Sequence, residues 1–120
     1  MEKKYIVVVG DEGMVEEMIQ HMLEKKGYET FSFNDPRDAL SFLEKHHEKV
    51  DLVISDGRMP HIDGWELAHT LSEIDPRTPV ILITGFMKGE RERHGNVKAV
   101  LSKPILRDEL LEAVKAVIGS

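Results

Sequence analysis

Four sets of polar side chains in this chain could handle a phosphoryl group or a metal ion, and each follows or ends a short apolar run. Asp11 and Glu12 follow the first run, Asp56 ends another, and Thr84 and Lys103 follow later ones. Two carboxylates from different segments can hold Mg²⁺. A hydroxyl and an ammonium can bind the oxygens of a phosphoryl group in transfer to a carboxylate. These residue types together indicate a phospho-aspartate acceptor, with Asp56 as the acceptor.

The local sequence around Asp56 supports this role. An apolar, β-branched run ends at Asp56, and Gly57 and Pro60 prevent a regular continuation, so Asp56 is predicted at the C-terminal tip of a buried strand. Open α/β sheets bind ligands at that end of their strands. The structural alternatives are a turn or cap aspartate for Asp56, a turn residue for Thr84 and a surface lysine for Lys103. The strand ends all carry residue types suited to the same phosphoryl chemistry, and this favours the functional interpretation.

Hydrophobic patterning predicts five strands that alternate with five helical stretches. The strands are predicted over residues 5–9, 28–33, a run ending at 56, 79–83 and 97–101. Gly27 ends the first helix, whose methionines are expected to pack in the core, and a marginal helix is predicted between Met87 and Asn96. The alternation predicts a three-layer α/β sandwich in which the polar strand ends meet at one crevice.

The composition excludes several classes of function. Residues 1–120 form a single predicted domain with 22 acidic and 16 basic residues and a net charge of −6, so no nucleic-acid partner is expected. Without cysteine, the chain has neither disulfides nor thiol chemistry. No leader or long apolar span is visible, which predicts a cytoplasmic protein without membrane contact.

Taken in order, these motifs resemble the receiver domains of response regulators in two-component signalling, the CheY-like family. The matching segments are residues 7–12, 55–60 with 63–64, 83–85 and 103–104. The resemblance covers essentially all 120 residues. It implies a flavodoxin-like αβα sandwich with a five-stranded parallel sheet of order 2-1-3-4-5. In many relatives the bond between Lys103 and Pro104 is cis.

The resemblance also implies roles for individual residues. A histidine kinase or a histidine phosphotransfer protein would donate the phosphoryl group to Asp56 in a Mg²⁺-dependent reaction that switches partner binding. Asp11, Asp56 and the backbone carbonyl of Arg58 would bind the metal, while Thr84 and Lys103 would bind the phosphate and act in the switch. The protein would then be an acceptor that phosphorylates and dephosphorylates itself, and not an enzyme with an external substrate.

Three departures from the family pattern affect these expectations. Gly10 stands where relatives carry the first of two acids. By resemblance, the missing carboxylate would order a metal-bound water, so Mg²⁺ should bind more weakly. Glu12 is the candidate auxiliary acid. Val100 stands where relatives usually carry the switch aromatic. The segment from Thr84 to Lys103 is a few residues shorter than usual. Acceptor chemistry is therefore expected to survive better than the familiar output mechanism.

Two other classes of function stay open. A phosphorylation-independent pseudo-receiver would use the fold as a docking module, as Gly10 and Val100 suggest, although the presence of the acceptor, hydroxyl and ammonium argues against it. A cofactor-binding flavodoxin-like domain is the other alternative. The loop from Gly10 to Gly13 faintly resembles a cobalamin loop but lacks its histidine at Gly13, and no G-x-G-x-x-G follows the first strand. A bound flavin would colour the purified protein.

Overall fold

The computed structural model describes residues 3–85 and 95–119 of the chain. These residues form five strands and four α-helices, with one 3₁₀ turn between α2 and β3. In chain order the elements are β1 (Tyr5–Val9), α1 (Gly13–Glu24), β2 (Glu29–Phe33), α2 (Pro36–His46), β3 (Leu52–Asp56), α3 (Gly64–Ile74), β4 (Val80–Thr84), β5 (Val97–Ser102) and α4 (Arg107–Ile118). The marginal helix predicted between Met87 and Asn96 falls largely outside the described residues.

The five strands form one parallel sheet with the order β2-β1-β3-β4-β5. This confirms the fold class and the strand order. β1 and β3 lie in the middle and consist almost entirely of buried residues, because helices cover both faces of the sheet. β2 lies at an edge, as its alternating pattern indicates, and there Phe31 is 39% exposed.

Alternate residues of β1 enter two separate apolar cores. Val7 and Val9 pack with side chains of α2 and α3 on one face, and Ile6 and Val8 pack with those of α1 and α4 on the other. The period of two follows from the pleat of a strand. Burying each such side chain contributes about 1.5–3 kcal/mol, so the central strands hold all three layers together.

The prediction that the methionines of α1 pack in the core is wrong for two of them. Met14 is 86% exposed and Met18 is 41% exposed. The buried face of α1 consists of residues at helical i, i+3 and i+7 spacing: Glu16, Ile19 and Leu23. That stripe turns Met14 and Met18 away from the sheet, and it places a carboxyl group in the interior.

The loop between β3 and α3 is fixed at several points. Asp63 and Glu66 form a capping box: the Asp63 carboxylate accepts from the backbone N–H of Glu66 at 2.8 Å, and the Glu66 carboxylate accepts from that of Asp63 at 3.3 Å. The N–H of Gly64 donates to the carbonyl of Gly57 at 3.0 Å. A Cβ on Gly64 would overlap the backbone oxygen of Asp56, so glycine is required there. These contacts hold the end of β3 in place.

None of the helices in the described part of the chain has both the length and the apolar character that a membrane span requires.

Candidate functional site

The parallel sheet brings the predicted site residues to one edge. Asp56 is the last residue of β3 and Thr84 the last of β4. Lys103 follows β5, and its backbone N–H donates to the carbonyl of Thr84 at 2.9 Å. Asp11 and Glu12 follow β1 at the same edge. The strand ends therefore meet as the sequence predicts.

Lys103 joins two of the acids. Its Nζ lies 3.1 Å from Oδ1 of Asp56 and 3.1 Å from Oε1 of Glu12. Burial lowers the pKa of Lys103, but its hydrogen bonds to Glu12 and Asp56 outweigh that effect, and the pKa is raised. The side chain therefore stays an ammonium at neutral pH. The Lys103–Pro104 bond is cis, as in many relatives.

Asp56 is a buried carboxylate that is only half satisfied. The residue is 5% exposed, and burial raises its pKa although Lys103 acts in the opposite direction. Its Oδ1 is paired with Lys103, whereas its buried Oδ2 has no hydrogen-bond partner among the described residues. Leaving a buried polar atom unpaired costs about 1–3 kcal/mol. The arrangement suits a group that binds from outside the chain.

Three acids at this edge have the composition of a site for a hard divalent cation. Asp11, Glu12 and Asp56 each place a carboxylate oxygen within 4.8 Å of the other two. Mg²⁺ prefers such oxygen ligands and keeps several of its waters, which the exposed positions of Asp11 and Glu12 permit. The unpartnered Oδ2 of Asp56 adds a buried oxygen that a cation would satisfy. The donors present therefore fit Mg²⁺.

Two predicted residues complete the rim of the site. Arg58 lies in the β3–α3 loop, two residues after Asp56, with an exposed side chain. A Cβ on Gly57 would lie 3.1 Å from Cβ and 3.3 Å from Oγ1 of Thr84, so the glycine lets the loop pass close to that hydroxyl. Thr84 is half-buried at the tip of β4, beside the segment that carries Lys103.

A further acid, Glu16 of α1, lies against the end of β1. A Cβ built on Gly10 would lie 2.6 Å from Cδ of Glu16, 2.7 Å from its Oε2 and 2.7 Å from Oδ2 of Asp56. Glu16 is 3% exposed, and its Oε1 has no hydrogen-bond partner among the described residues. Burial chiefly, and then the charge of Asp56, raises the pKa of Glu16 to about 7. The glutamate carboxyl thus fills the space that a side chain at position 10 would need.

Sequence reasoning missed Glu16. It considered Glu12, the next acid along the chain after Asp11, as the auxiliary group. The signal for Glu16 is its place on the stripe with Ile19 and Leu23, where an apolar residue is expected and an acid is costly. A charged residue on the buried face of an otherwise amphipathic helix is a reason to look for a site beneath it.

Comparison with known proteins decides the family. Residues 6–115 match the family model of the response regulator receiver domain. The chain belongs to that family. It is a receiver domain of two-component signalling.

Relatives of this receiver agree along nearly their whole length. The polar-differentiation response regulator DivK of Brucella ovis is 31% identical over 121 residues, covering 97% of either chain. The receiver domain of a sensor histidine kinase of Pseudomonas aeruginosa, solved with a magnesium ion coordinated in its active-site cleft, is 27% identical with a TM-score of 0.86, covering 99% of this chain and 100% of that one. A chemotaxis response regulator of Vibrio cholerae is 26% identical with a TM-score of 0.85, covering 97% and 99%.

Two departures of this receiver from the family pattern remain, at Val100 and in the segment after Thr84. Val100 is half-buried and packs against the apolar core under α2 and α3. The shortened segment that follows Thr84 and Gly85 falls on residues 86–94, outside the described ranges. The expectation of an altered output mechanism therefore stays a prediction.

Proposed function

We propose that Asp56 accepts a phosphoryl group from the phosphohistidine of a kinase or phosphotransfer protein, in a Mg²⁺-dependent reaction that changes partner binding. The observation that carries this proposal is the half-satisfied Asp56 carboxylate at the strand edge. One oxygen lies 3.1 Å from the Lys103 ammonium, and Asp11 and Glu12 lie close enough to share a cation with it. Family membership supports the same reaction.

In the proposed transfer, an oxygen of Asp56 forms a bond to phosphorus as the phosphorus–nitrogen bond of the donor breaks, and the imidazole leaves with the electron pair. Before transfer, the Lys103 ammonium favours the ionised, nucleophilic form of Asp56 and opposes the effect of burial. After transfer, the same ammonium and the Thr84 hydroxyl would bind oxygens of the new acyl phosphate. Preorganised charges of this kind supply most of the catalysis in phosphoryl transfer.

Asp11, Asp56 and the backbone carbonyl of Arg58 would hold Mg²⁺, with Glu12 as an auxiliary acid. When bound, the ion would neutralise the negative charge that otherwise opposes the approach of a phosphoryl group to this acidic edge. The Pseudomonas aeruginosa relative solved with magnesium supports this assignment.

The receiver would be an acceptor without turnover of an external substrate, apart from hydrolysis of its own acyl phosphate. Its partners would be the phosphodonor and a downstream protein that stays unidentified. We place the protein in the cytoplasm together with its phosphodonor.

The experiment is intact-mass measurement after incubation with acetyl phosphate, with and without Mg²⁺. We expect one phosphoryl adduct on the native protein, lost on chelation and lost in Asp56→Asn. Asp108→Asn serves as the matched control, because Asp108 is an exposed aspartate of α4. A full adduct on Asp56→Asn would refute the acceptor assignment. No adduct at any Mg²⁺ concentration would favour the pseudo-receiver.

A further inference from the structure

The end of β1 lacks one carboxylate, and the Glu16 carboxyl of α1 occupies the space that a side chain at position 10 would need. Gly10 is buried, and its N–H donates to the carbonyl of Phe33 at 3.1 Å, so its backbone is held by the sheet. The position of a Cβ on Gly10 is within 2.7 Å of two carboxylate oxygens, Oε2 of Glu16 and Oδ2 of Asp56. These two oxygens therefore lie within twice that distance of each other.

The Glu16 carboxyl is buried, and it forms no ion pair with any of the described residues. Its Oε1 has no partner among the described residues, and neither has Oδ2 of Asp56, which together with Oε2 of Glu16 lies beside the Cβ position of Gly10. The charges that act on it are those of other acids, Asp56 most strongly and then Asp11 and Glu12. Lys103, the ammonium of this edge, is engaged with Asp56 and Glu12.

An unpaired, buried oxygen on each of two neighbouring carboxyl groups is unfavourable unless a positive charge joins the groups. A hydrated divalent cation at the neighbouring acid cluster is the ligand that would relieve both at once. An uncharged ligand would satisfy hydrogen bonding but leave the repulsion between the acids.

We propose that Glu16 takes the part of the acid missing at position 10 and completes the divalent-cation site from helix α1. In this site the carboxylate comes from a helix packed on the sheet instead of the strand end, and Gly10 is the residue that makes room for it. Glycine and glutamate at these positions form a matched pair, since a side chain on Gly10 would collide with the glutamate carboxyl. This inference rests on the metal dependence in the proposed function.

The test measures cation binding without phosphorylation. Free Mn²⁺ is followed by its electron paramagnetic resonance signal as metal-free protein is added, for the native chain, Glu16→Gln and Glu17→Gln. Glu17 is the matched control, because it is the adjacent acid of α1 and is exposed. We expect Glu16→Gln to weaken Mn²⁺ binding about tenfold or more, since a lost acid near a metal typically costs 10–100-fold. Glu17→Gln should change the affinity less than about twofold, because water and salt screen an exposed charge.

A swap of the two positions gives a second, independent readout. Gly10→Asp combined with Glu16→Ala moves the carboxylate to the strand end and removes the glutamate carboxyl, one of the two groups that a side chain at position 10 would meet; the other is Oδ2 of Asp56. We expect this double variant to recover the Mn²⁺ affinity that Glu16→Ala alone loses. Circular dichroism melting verifies that each variant is folded.

The outcomes separate the inference from the proposed function. Native affinity in Glu16→Gln, or no recovery in the folded double variant, would overturn the role of Glu16 while leaving metal binding by the other acids intact. Absence of Mn²⁺ binding by the native protein would overturn both the metal dependence and the role of Glu16.

Discussion

Replacing Glu16 by glutamine should stabilise the metal-free protein at neutral and higher pH. The substitution keeps the shape of the side chain and removes a charge that is 3% exposed and has an unpaired oxygen. The pKa of Glu16 is raised from 4.5 to about 7. At about 1.4 kcal/mol for each pKa unit, the full shift corresponds to roughly 3 kcal/mol. Asp11 and Glu12 are exposed, so water reaches this edge and screens the charges. We therefore expect Glu16→Gln to raise the free energy of unfolding by about half of that value.

The sign of the pH dependence follows from the raised pKa. The folded carboxyl keeps its proton up to about pH 7, whereas the unfolded one releases it near pH 4.5. Ionisation therefore costs folding free energy, and native stability falls as the pH rises through this window. The glutamine side chain of the Glu16→Gln variant does not titrate in this pH range. Its advantage should be absent at about pH 4, grow between pH 4.5 and 7 and stay constant above that range.

The assay is urea unfolding in EDTA, followed by the fluorescence of Trp65. Trp65 is the single tryptophan of the chain and packs against the core between the sheet and helices α2 and α3. Glu17→Gln, with its exposed side chain, should change the free energy of unfolding by less than about 0.5 kcal/mol. Equal or lower stability of Glu16→Gln at about pH 8 with an unchanged urea slope would refute the inferred cost of burying this carboxylate.

Two further predictions concern Lys103 and the N-terminal cap of helix α3. Lys103→Ala removes the ammonium that pairs with Asp56 and Glu12. The variant should keep a metal site but lose the phosphorylation-dependent change in Trp65 fluorescence. A normal phosphorylation-dependent change would contradict the switch role of Lys103. Asp63→Ala removes half of the capping box of α3 and should lower the free energy of unfolding by about 1 kcal/mol in urea titrations, whereas an unchanged urea midpoint would show that the cap contributes nothing.

Local patterns in the sequence were sufficient for most of the architecture. Apolar runs predicted each strand to within two residues at either end, because a strand covered on both faces needs apolar side chains on both sides of the pleat. The N-cap at Asp35 with Pro36 as the first helical residue was also predictable, since capping depends on adjacent residues. The strand order, which came from the family resemblance, is confirmed.

The convergence of the candidate site residues at one edge of the sheet was predictable for the same reason. Parallel strands end at one edge whatever their exact packing, so Asp56, Thr84 and Lys103 had to approach each other once the strands were recognised. The interaction of the Lys103 ammonium with Asp56 needs only that adjacency and opposite charge.

Only the tertiary structure decided which acid lies beside Gly10. The sequence alone pointed to Glu12, the next acid after Asp11, whose auxiliary role stays a prediction. Glu16 reaches the gap because Ile19 and Leu23 pack against the sheet and thereby set the rotation of α1 about its axis. The same rotation leaves Met14 and Met18 exposed. Helical periodicity shows which residues share a face of a helix, but contacts between residues far apart in the chain determine what that face packs against.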